Sequence, residues 1–491
     1  MSLNLRSVGG NALSILSSDV LNRAASFVVY AMVARHLGAF EFGQLALAFS
    51  LFYMFQVSAV AGLKILTIRQ VAKDRSLTRM YFNNGCAIVA ASSSVSLAAL
   101  YVFVRLMHYS PATNWIVLLL SLGLFPFAIS SICEGIFQAW EKMRYIAWVN
   151  VPANLAKMAG AYLLLVRGRG LYTVILVLLA AFFAIAIAEV WLVLSRFPAQ
   201  RAPVSLRFCW ITLRSSITFL AIDKVIAIES SLNIILLSKL ATETEVGLYA
   251  AAAQLLVPLS LVYQSIAQSI FPVMCRKVGP GLQDLKRITD QILEFLLALA
   301  LPAAAGVFFL GPWGLSLLYK NRDFLQAVPA LRIMAWILIF QVFSYVLGQV
   351  LLATHREKVT LRIVIVDVFI TLVAGALLIE RFGLLGAAMT LFLTRLAAAI
   401  QHYVPVSRLL SGIPLAKVTW RPIVAAACMA TYLFLAADQA SILRAVLATL
   451  IYAAALLALA AAACGGIREL RTRFFYVWSG SPSGGHEEIG L

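Results

Sequence analysis

Charge is scarce in this chain. Asp, Glu, Lys and Arg make up 12% of its 491 residues, about half the share that covers the surface of an ordinary soluble domain. Acidic residues are scarcer still, 21 against 39 Lys and Arg, for a formal net charge of +18. The five histidines, His36, His108, His355, His402 and His486, are scattered and form no HExxH. No nucleophile elbow, paired-carboxylate constellation or phosphate-binding glycine loop occurs, so the sequence points away from an enzyme and from direct use of ATP. Six cysteines (Cys86, Cys133, Cys209, Cys275, Cys428, Cys464) show no CxxC spacing. A disulfide framework or a metal site is not expected, and no cofactor is implied. The first apolar stretch carries Asp19 and Arg23 in its middle, which reads as a first span rather than a cleavable signal peptide.

What fills the space is hydrocarbon. Hydrophobic residues are 62% of the chain and the mean hydropathy is +0.92, more than a soluble core requires. Apolar runs of bilayer-crossing length are predicted near 12–33, 43–63, 84–106, 115–138, 145–166, 172–194, 216–238, 247–273, 291–318, 330–353, 359–379, 383–404, 421–437 and 442–463, giving about 14 transmembrane helices in an all-α polytopic membrane protein. Counting with the N-terminus inside, 24 basic residues fall on one set of alternating loops and ten on the other. That bias places both termini in the cytoplasm and explains the net charge without nucleic acid. Attraction of the same loops to anionic lipid is compatible with it.

Two phrases repeat. Leu37 to Ala48 reads LGAFEFGQLALA, and Ala241 to Ala252 reads ATETEVGLYAAA, with Glu41 and Gly43 falling on Glu245 and Gly247. A second echo sets Glu141 and Lys142, then Ala159, Gly160 and Gly170, beside Glu357 and Lys358, then Ala374, Gly375 and Gly383. The expected organisation is an N-terminal lobe of six spans over 1–195, a basic cytoplasmic linker over 196–215 with a short interfacial helix at Leu206 to Leu213, and a second six-span lobe over 216–408. A final helix pair follows over 409–465, then a disordered cytoplasmic tail over 466–491. An even number of spans per lobe relates the copies by a pseudo-twofold along the membrane normal.

The phrase LGAFEFGQLALA, its echo EVGLYAAAAQLL and the helix count resemble the Wzx-like oligosaccharide flippases, the polysaccharide transport branch of the multidrug, oligosaccharidyl-lipid and polysaccharide exporter (MOP) superfamily. The resemblance spans residues 1 to about 465. It implies two six-helix lobes that alternate between inward-open and outward-open states and turn a lipid-linked oligosaccharide, carried on undecaprenyl diphosphate, across the bacterial inner membrane for surface polysaccharide biosynthesis. The implied partners are that substrate, membrane lipid and the polysaccharide polymerase and export machinery. The alternative within the superfamily is a MATE-like multidrug antiporter, which would stop at about 12 spans. Where many relatives place an acid in the seventh span, this chain has Asn233.

Polar residues inside the spans are the candidate working parts, since each mid-membrane charge costs roughly 2.5–3.5 kcal/mol on insertion scales. Arg23, Lys157, Lys224 and Arg395 are candidates for the diphosphate or acidic sugars, with Asn154, Gln264 and Gln268 for hydroxyls; Asp223, Glu229 and Asp367 are candidates for a coupling ion. Asn150, Asn154 and Lys157 share one face of the fifth span. Asp19 and Arg23, four residues apart, would neutralise each other, and Asp367 is a candidate partner for Arg395. Lys64, Glu134 and Glu189 lie towards the cytoplasmic boundary and are expected to snorkel.

Overall fold

The computed structural model describes residues 5–197, 202–278, 282–436 and 441–464; the side chains of residues 5–20, Asp19 among them, and the tail from 465 lie outside the description. Among the described residues the fold is all-helical. In chain order the helices are α1 (Leu5–Leu37), α2 (Ala39–Val60), α3 (Leu63–Lys73), α4 (Thr78–Met107), α5 (Pro111–Ser121), α6 (Leu124–Ala139), α7 (Arg144–Val166) and α8 (Leu171–Arg196). There follow α9 (Leu206–Leu240), α10 (Glu243–Arg276), α11 (Gln283–Tyr319), α12 (Val328–Ala335), α13 (Ile337–Ala353), α14 (Glu357–Leu409), α15 (Leu415–Leu435) and α16 (Ser441–Cys464).

Every predicted span falls on a helix, yet among the described residues ten helical segments are long and apolar enough to cross a membrane, or eleven when Arg322–Ala335 and Ile337–Ala353, bent by 40°, count as one. The difference from fourteen has local causes. Helices α1 and α9 carry charges along their length, and α14 joins the two predicted spans at 359–379 and 383–404 across a break at Gly383, whose φ is +52°. The predicted interfacial helix at Leu206 to Leu213 is not separate either. It forms the first turns of the 35-residue α9, started by Ser205, whose side chain accepts from the Phe208 amide.

The described chain forms two compact units, Met1–Pro258 with Gly314–Met334 and Glu357–Ala398, and Leu259–Trp313 with Ala335–Arg356 and Ala399–Leu491. In the second unit the final helix pair packs on α11. Ala425, Met429 and Leu433 of α15 meet Ala448 and Tyr452 of α16, with Leu301 and Phe309 of α11 against them. The Tyr452 hydroxyl donates to the Ala298 carbonyl at 2.7 Å, and Arg421 pairs with Glu294 at 3.2 Å.

In the first unit α2 is the hub, packed against α1, α4, α5, α6 and α9. Its apolar residues Phe42, Leu45, Leu47, Leu51 and Phe52 are buried. At its start the two repeated phrases face each other. A methyl on Gly43 would strike the Glu243 carbonyl, and a methyl on Gly247 would strike the Ala39 carbonyl; each lies four residues before the opposite glycine. The helices therefore touch backbone to backbone, reciprocally, which only glycine allows.

The repeated glutamates sit two residues earlier, in the third position of α2 and of α10. Glu245 closes a capping box, its Oε2 accepting from the Thr242 amide at 3.1 Å while its own amide donates to Thr242 Oγ1 at 3.3 Å. Its other oxygen accepts from the Leu384 amide at 3.0 Å, capping the second arm of α14 just past the Gly383 break. Beside this crossing, Glu243 accepts from Ser110 at 3.3 Å and from Thr113, and Gln44 donates to Thr113 at 2.9 Å. Tyr109 and Ser238 hydroxyls lie 3.0 Å apart, and Lys239 donates to the Met107 carbonyl at 2.8 Å. Near the opposite end of α2, in the turn after α3, Asp74 accepts from the Ser76 hydroxyl at 2.7 Å and from the Ser76 amide at 2.9 Å, which holds its carboxyl below the usual carboxylate range.

Gly43→Ala and Gly247→Ala are each expected to destabilise the fold by about 1–3 kcal/mol through overpacking. Because both changes push the same two backbones apart, the double variant should lose less than the sum of the singles; thermal unfolding of the four proteins in detergent tests this.

Candidate functional site

Two polar zones are built into the first compact unit. The first begins with α7, where the spacing of Asn150, Asn154 and Lys157 sets three polar groups on one face of an otherwise apolar helix. Asn154 is 2% exposed and its amide donates to the Asn150 carbonyl at 2.8 Å. All three line a cavity of about 180 Å³ together with Asn22 of α1, Lys64 of α3, and Ser130, Glu134 and Gln138 of α6. A neighbouring cavity of about 310 Å³ shares Asn22, Phe127, Lys157, Leu178 and Phe182 with it and adds Tyr30, Tyr53 and Gln56. Lys157 thus stands on the wall common to both. Among the described residues its ammonium has neither a hydrogen bond nor an ion pair, whereas Lys64 is bound to Glu134 at 2.5 Å.

This zone corrects one expectation. Lys64 and Glu134 do not snorkel to the boundary; their side chains are 34% and 21% exposed and meet over the cavity. Glu189 is fully buried, with one oxygen accepting from Ser130 and the other without a partner. The Asn150 amide reaches Glu134 at 3.4 Å. A polar interior formed by α3, α6, α7 and α8 gives these charges somewhere to go other than the interface, which sequence position alone does not reveal.

The second zone lies on α9 and α14. Arg395 forms an ion pair with Glu229 at 3.0 Å, tying the two helices together. Tyr53 of α2 lines a cavity with Ser230 and Ser231 of α9, the residues that follow Glu229. Arg23 of α1 and Asp223 of α9 have exposed side chains. Lys224 points elsewhere: it donates to the Met54 carbonyl and to Ser58 Oγ, both at 2.8 Å, and lies 5.0 Å over the Phe55 ring, locking α9 to α2. Asn233 donates to the Tyr249 hydroxyl at 2.8 Å and the Ala387 carbonyl at 3.0 Å. Asp367 is buried in α14 at 4% exposure.

The structure therefore gathers Asn154 and Lys157 into one cavity and pairs Glu229 with Arg395. Gln264 and Gln268 belong to neither; they lie on the part of α10 in the second compact unit, half-buried and exposed respectively. Missed by sequence reasoning were Asn22, Gln138, Tyr53 and Gln56. Asn22, beside Arg23 in an apolar stretch, was the one with a readable signal. Amides and an ammonium on a cavity wall supply hydrogen-bond donors to anionic or hydroxyl-rich ligands. No cluster of three or more His, Cys, Asp or Glu that could hold a metal occurs among the described residues.

Helix order and the ten or eleven membrane-length helices among the described residues define the class: an all-helical, multi-pass membrane protein. The family described as "Polysaccharide biosynthesis protein" matches residues 8–277, more than half of the chain, and the chain belongs to that family. The MatE family matches residues 225–377. The chain is 27% identical over 171 residues to the capsular polysaccharide biosynthesis protein CapF of Staphylococcus aureus, covering 34% of this chain and 43% of CapF. Less than half the length of that relative is therefore spanned. It is 20% identical over 397 residues to the probable low-salt glycan biosynthesis flippase Agl15 of Haloferax volcanii, covering 80% of this chain and 82% of Agl15. In structure it is similar to the lipid II flippase MurJ in an inward closed conformation, with a TM-score of 0.71, 14% identity, and 90% and 97% of the two chains covered.

Removing one partner of the Lys64–Glu134 pair leaves a half-buried charge unmatched, which is worse than removing both. Lys64→Met alone is expected to lower the unfolding temperature more than Lys64→Met with Glu134→Leu, measured by thermal unfolding of the purified variants.

Proposed function

We propose that this protein is a flippase that carries a lipid-linked oligosaccharide, assembled on undecaprenyl diphosphate, across the bacterial inner membrane by alternating access, with both termini in the cytoplasm. The observation that carries the reading is Lys157: an ammonium without a partner among the described residues, on the wall of a cavity otherwise furnished with amides, in a chain of the polysaccharide biosynthesis family. Taking a diphosphate and sugars through hydrocarbon unaided costs on the order of tens of kcal/mol. A wet cavity with cationic and amide walls removes most of that penalty, while the isoprenoid chain stays in lipid.

In this reading Lys157 meets a phosphate, and Asn22, Asn150 and Asn154 meet phosphate or sugar oxygens. Arg23, exposed on α1, remains a candidate for the same anion, and Arg395 is held by Glu229 until substrate competes for it. Asp223, Glu229 and Asp367 remain the coupling-ion candidates. The six-span lobes are proposed to rock about the linker, and the polymerase and export machinery would take the product. The end where Gly43 meets Gly247, and where Tyr109, Thr113 and Met107 are tied to Ser238, Glu243 and Lys239, is the outer one by the distribution of basic residues. A multidrug antiporter is the second reading, favoured by the MatE match over 225–377.

Deleting the gene is expected to leave undecaprenyl-linked repeat units on the cytoplasmic leaflet, read by mass spectrometry of lipid extracts. Complementation with Lys157→Ala should restore export at about one tenth of the native rate or less, the loss of one charge-assisted contact, with normal protein abundance. Drug hypersensitivity without lipid accumulation would assign the chain to the antiporter reading.

A further inference from the structure

The cavity that Tyr53 shares with Ser230 and Ser231 encloses about 250 Å³ where α1 and α2 pass α9 and α10, all within the first compact unit. Tyr30, Phe49 and Tyr53 also line the 310 Å³ cavity beside Lys157, so the polar zone of α7 continues into this one. Its walls are furnished differently. Ser50 of α2, Ser230 and Ser231 of α9 and Gln254 of α10 stand there with Tyr30 and Tyr53. None of these six side chains has a hydrogen bond within the protein among the described residues. Serines elsewhere in the helices bond a carbonyl one turn back, as Ser94 does to Ala90 at 2.9 Å and Ser121 to Val117 at 2.7 Å. The hydroxyls around this cavity are left free.

No charged side chain lines the cavity among the described residues. Glu229, the residue before Ser230, is already paired with Arg395 at 3.0 Å. Arg23 and Asp223 lie about two helical turns before Tyr30 and Ser230, a displacement of about 10 Å along their helices. An ionised group entering here would give up water and meet no counter-charge, a penalty that a neutral group avoids. The rings complement this. Tyr30 is set edge to face with Phe42 and Phe49, at centroid distances of 5.9 and 5.3 Å. Tyr53 is 39% exposed and touches no other ring among the described residues, which leaves its own ring open. An aromatic face carries negative charge density and attracts the weakly positive C–H groups of an aliphatic ring. Hydroxyls and a primary amide both donate and accept, as the hydroxyls of a sugar do.

We propose that this cavity is the seat of the sugar attached to the diphosphate, and that it selects an uncharged pyranose over an acidic one. The proposal rests on the flippase reading and names the substrate class of its site. Lys157 and the amides of α7 hold the anionic end, and the wall of Tyr30, Phe49 and Tyr53 common to both cavities marks where anion recognition gives way to sugar recognition. A volume of about 250 Å³ is the share of about eight waters, space for one ring with its substituents and not for a whole repeat unit. Selectivity follows from what each ligand leaves unpaired. An acidic sugar would set its carboxylate among hydroxyls with no cation, and a ring stripped of hydroxyls would leave Ser230, Ser231 and Gln254 unsatisfied.

The test uses the full-length protein in nanodiscs and three probes on one short prenyl chain: the bare diphosphate, the diphosphate bearing N-acetylglucosamine, and the diphosphate bearing glucuronic acid. Binding is followed by microscale thermophoresis. The N-acetylglucosaminyl probe is expected to bind about tenfold tighter than the bare diphosphate, and the glucuronyl probe no tighter than the bare one. Tyr53→Ala should abolish that tenfold gain and leave the affinity for the bare diphosphate unchanged. Ser230→Trp, at an exposed position, fills the seat and should do the same if Tyr53→Ala folds poorly. A glucuronyl probe that binds as tightly as the N-acetylglucosaminyl one, or a sugar gain that survives in both variants, would overturn the proposal. Lys157→Ala separates the two readings: it should weaken all three probes and keep the ratio between them. Unchanged binding of the bare diphosphate in Lys157→Ala, with the sugar gain intact, would count against Lys157 as the phosphate group and leave the sugar seat standing.

Discussion

The contact between Gly43 and Gly247 is the point from which the rest of the first unit is built. Two helices meet there closely enough that each glycine lies against the carbonyl four residues before the other. Side chains of any size would push α2 and α10 apart. The polar ties beside the crossing, from Thr113 and Ser110 to Glu243 and from Lys239 to Met107, reach only because the backbones are already in contact. Below it, the buried apolar residues of α2 pack against α1, α4, α5, α6 and α9.

That arrangement also sorts the charges. In a chain with so few of them, each one inside a span has to be matched or put to use. Lys224 is matched by the backbone and a hydroxyl of α2, Arg395 by Glu229, and Lys64 by Glu134. These ties hold helices in register. Lys157 stands apart from them, facing two cavities with no ion pair among the described residues.

Much of this was legible in the residues. The apolar runs, the repeated glutamate and glycine, and the stripe Asn150, Asn154 and Lys157 all follow from spacing along one helix, because neighbours at three and four residues share a face whatever surrounds them. The capping role of Glu245 could be read from Thr242 three residues before it. The boundary between the spans read at 359–379 and 383–404 was legible too, since it falls at the Gly383 break inside α14; less legible was whether the charged α1 and α9 count as spans. Lys64, Glu134 and Glu189 were misplaced because the polar interior that receives them is assembled from helices far apart in the chain.

The sequence by itself determined the class: hydrocarbon-rich, multi-pass, duplicated, with its positive charge on alternate loops. It also determined which small set of polar residues had to matter. The tertiary structure alone decided which of them meet. Lys64 and Glu134 are 70 residues apart, Lys224 and Met54 are 170 apart, and Leu384 reaches Glu245 across 139. The physical reason is that a charge in low dielectric is stabilised only by what lies within a few ångströms of it, and helical periodicity fixes directions around one axis but not which other axis lies alongside.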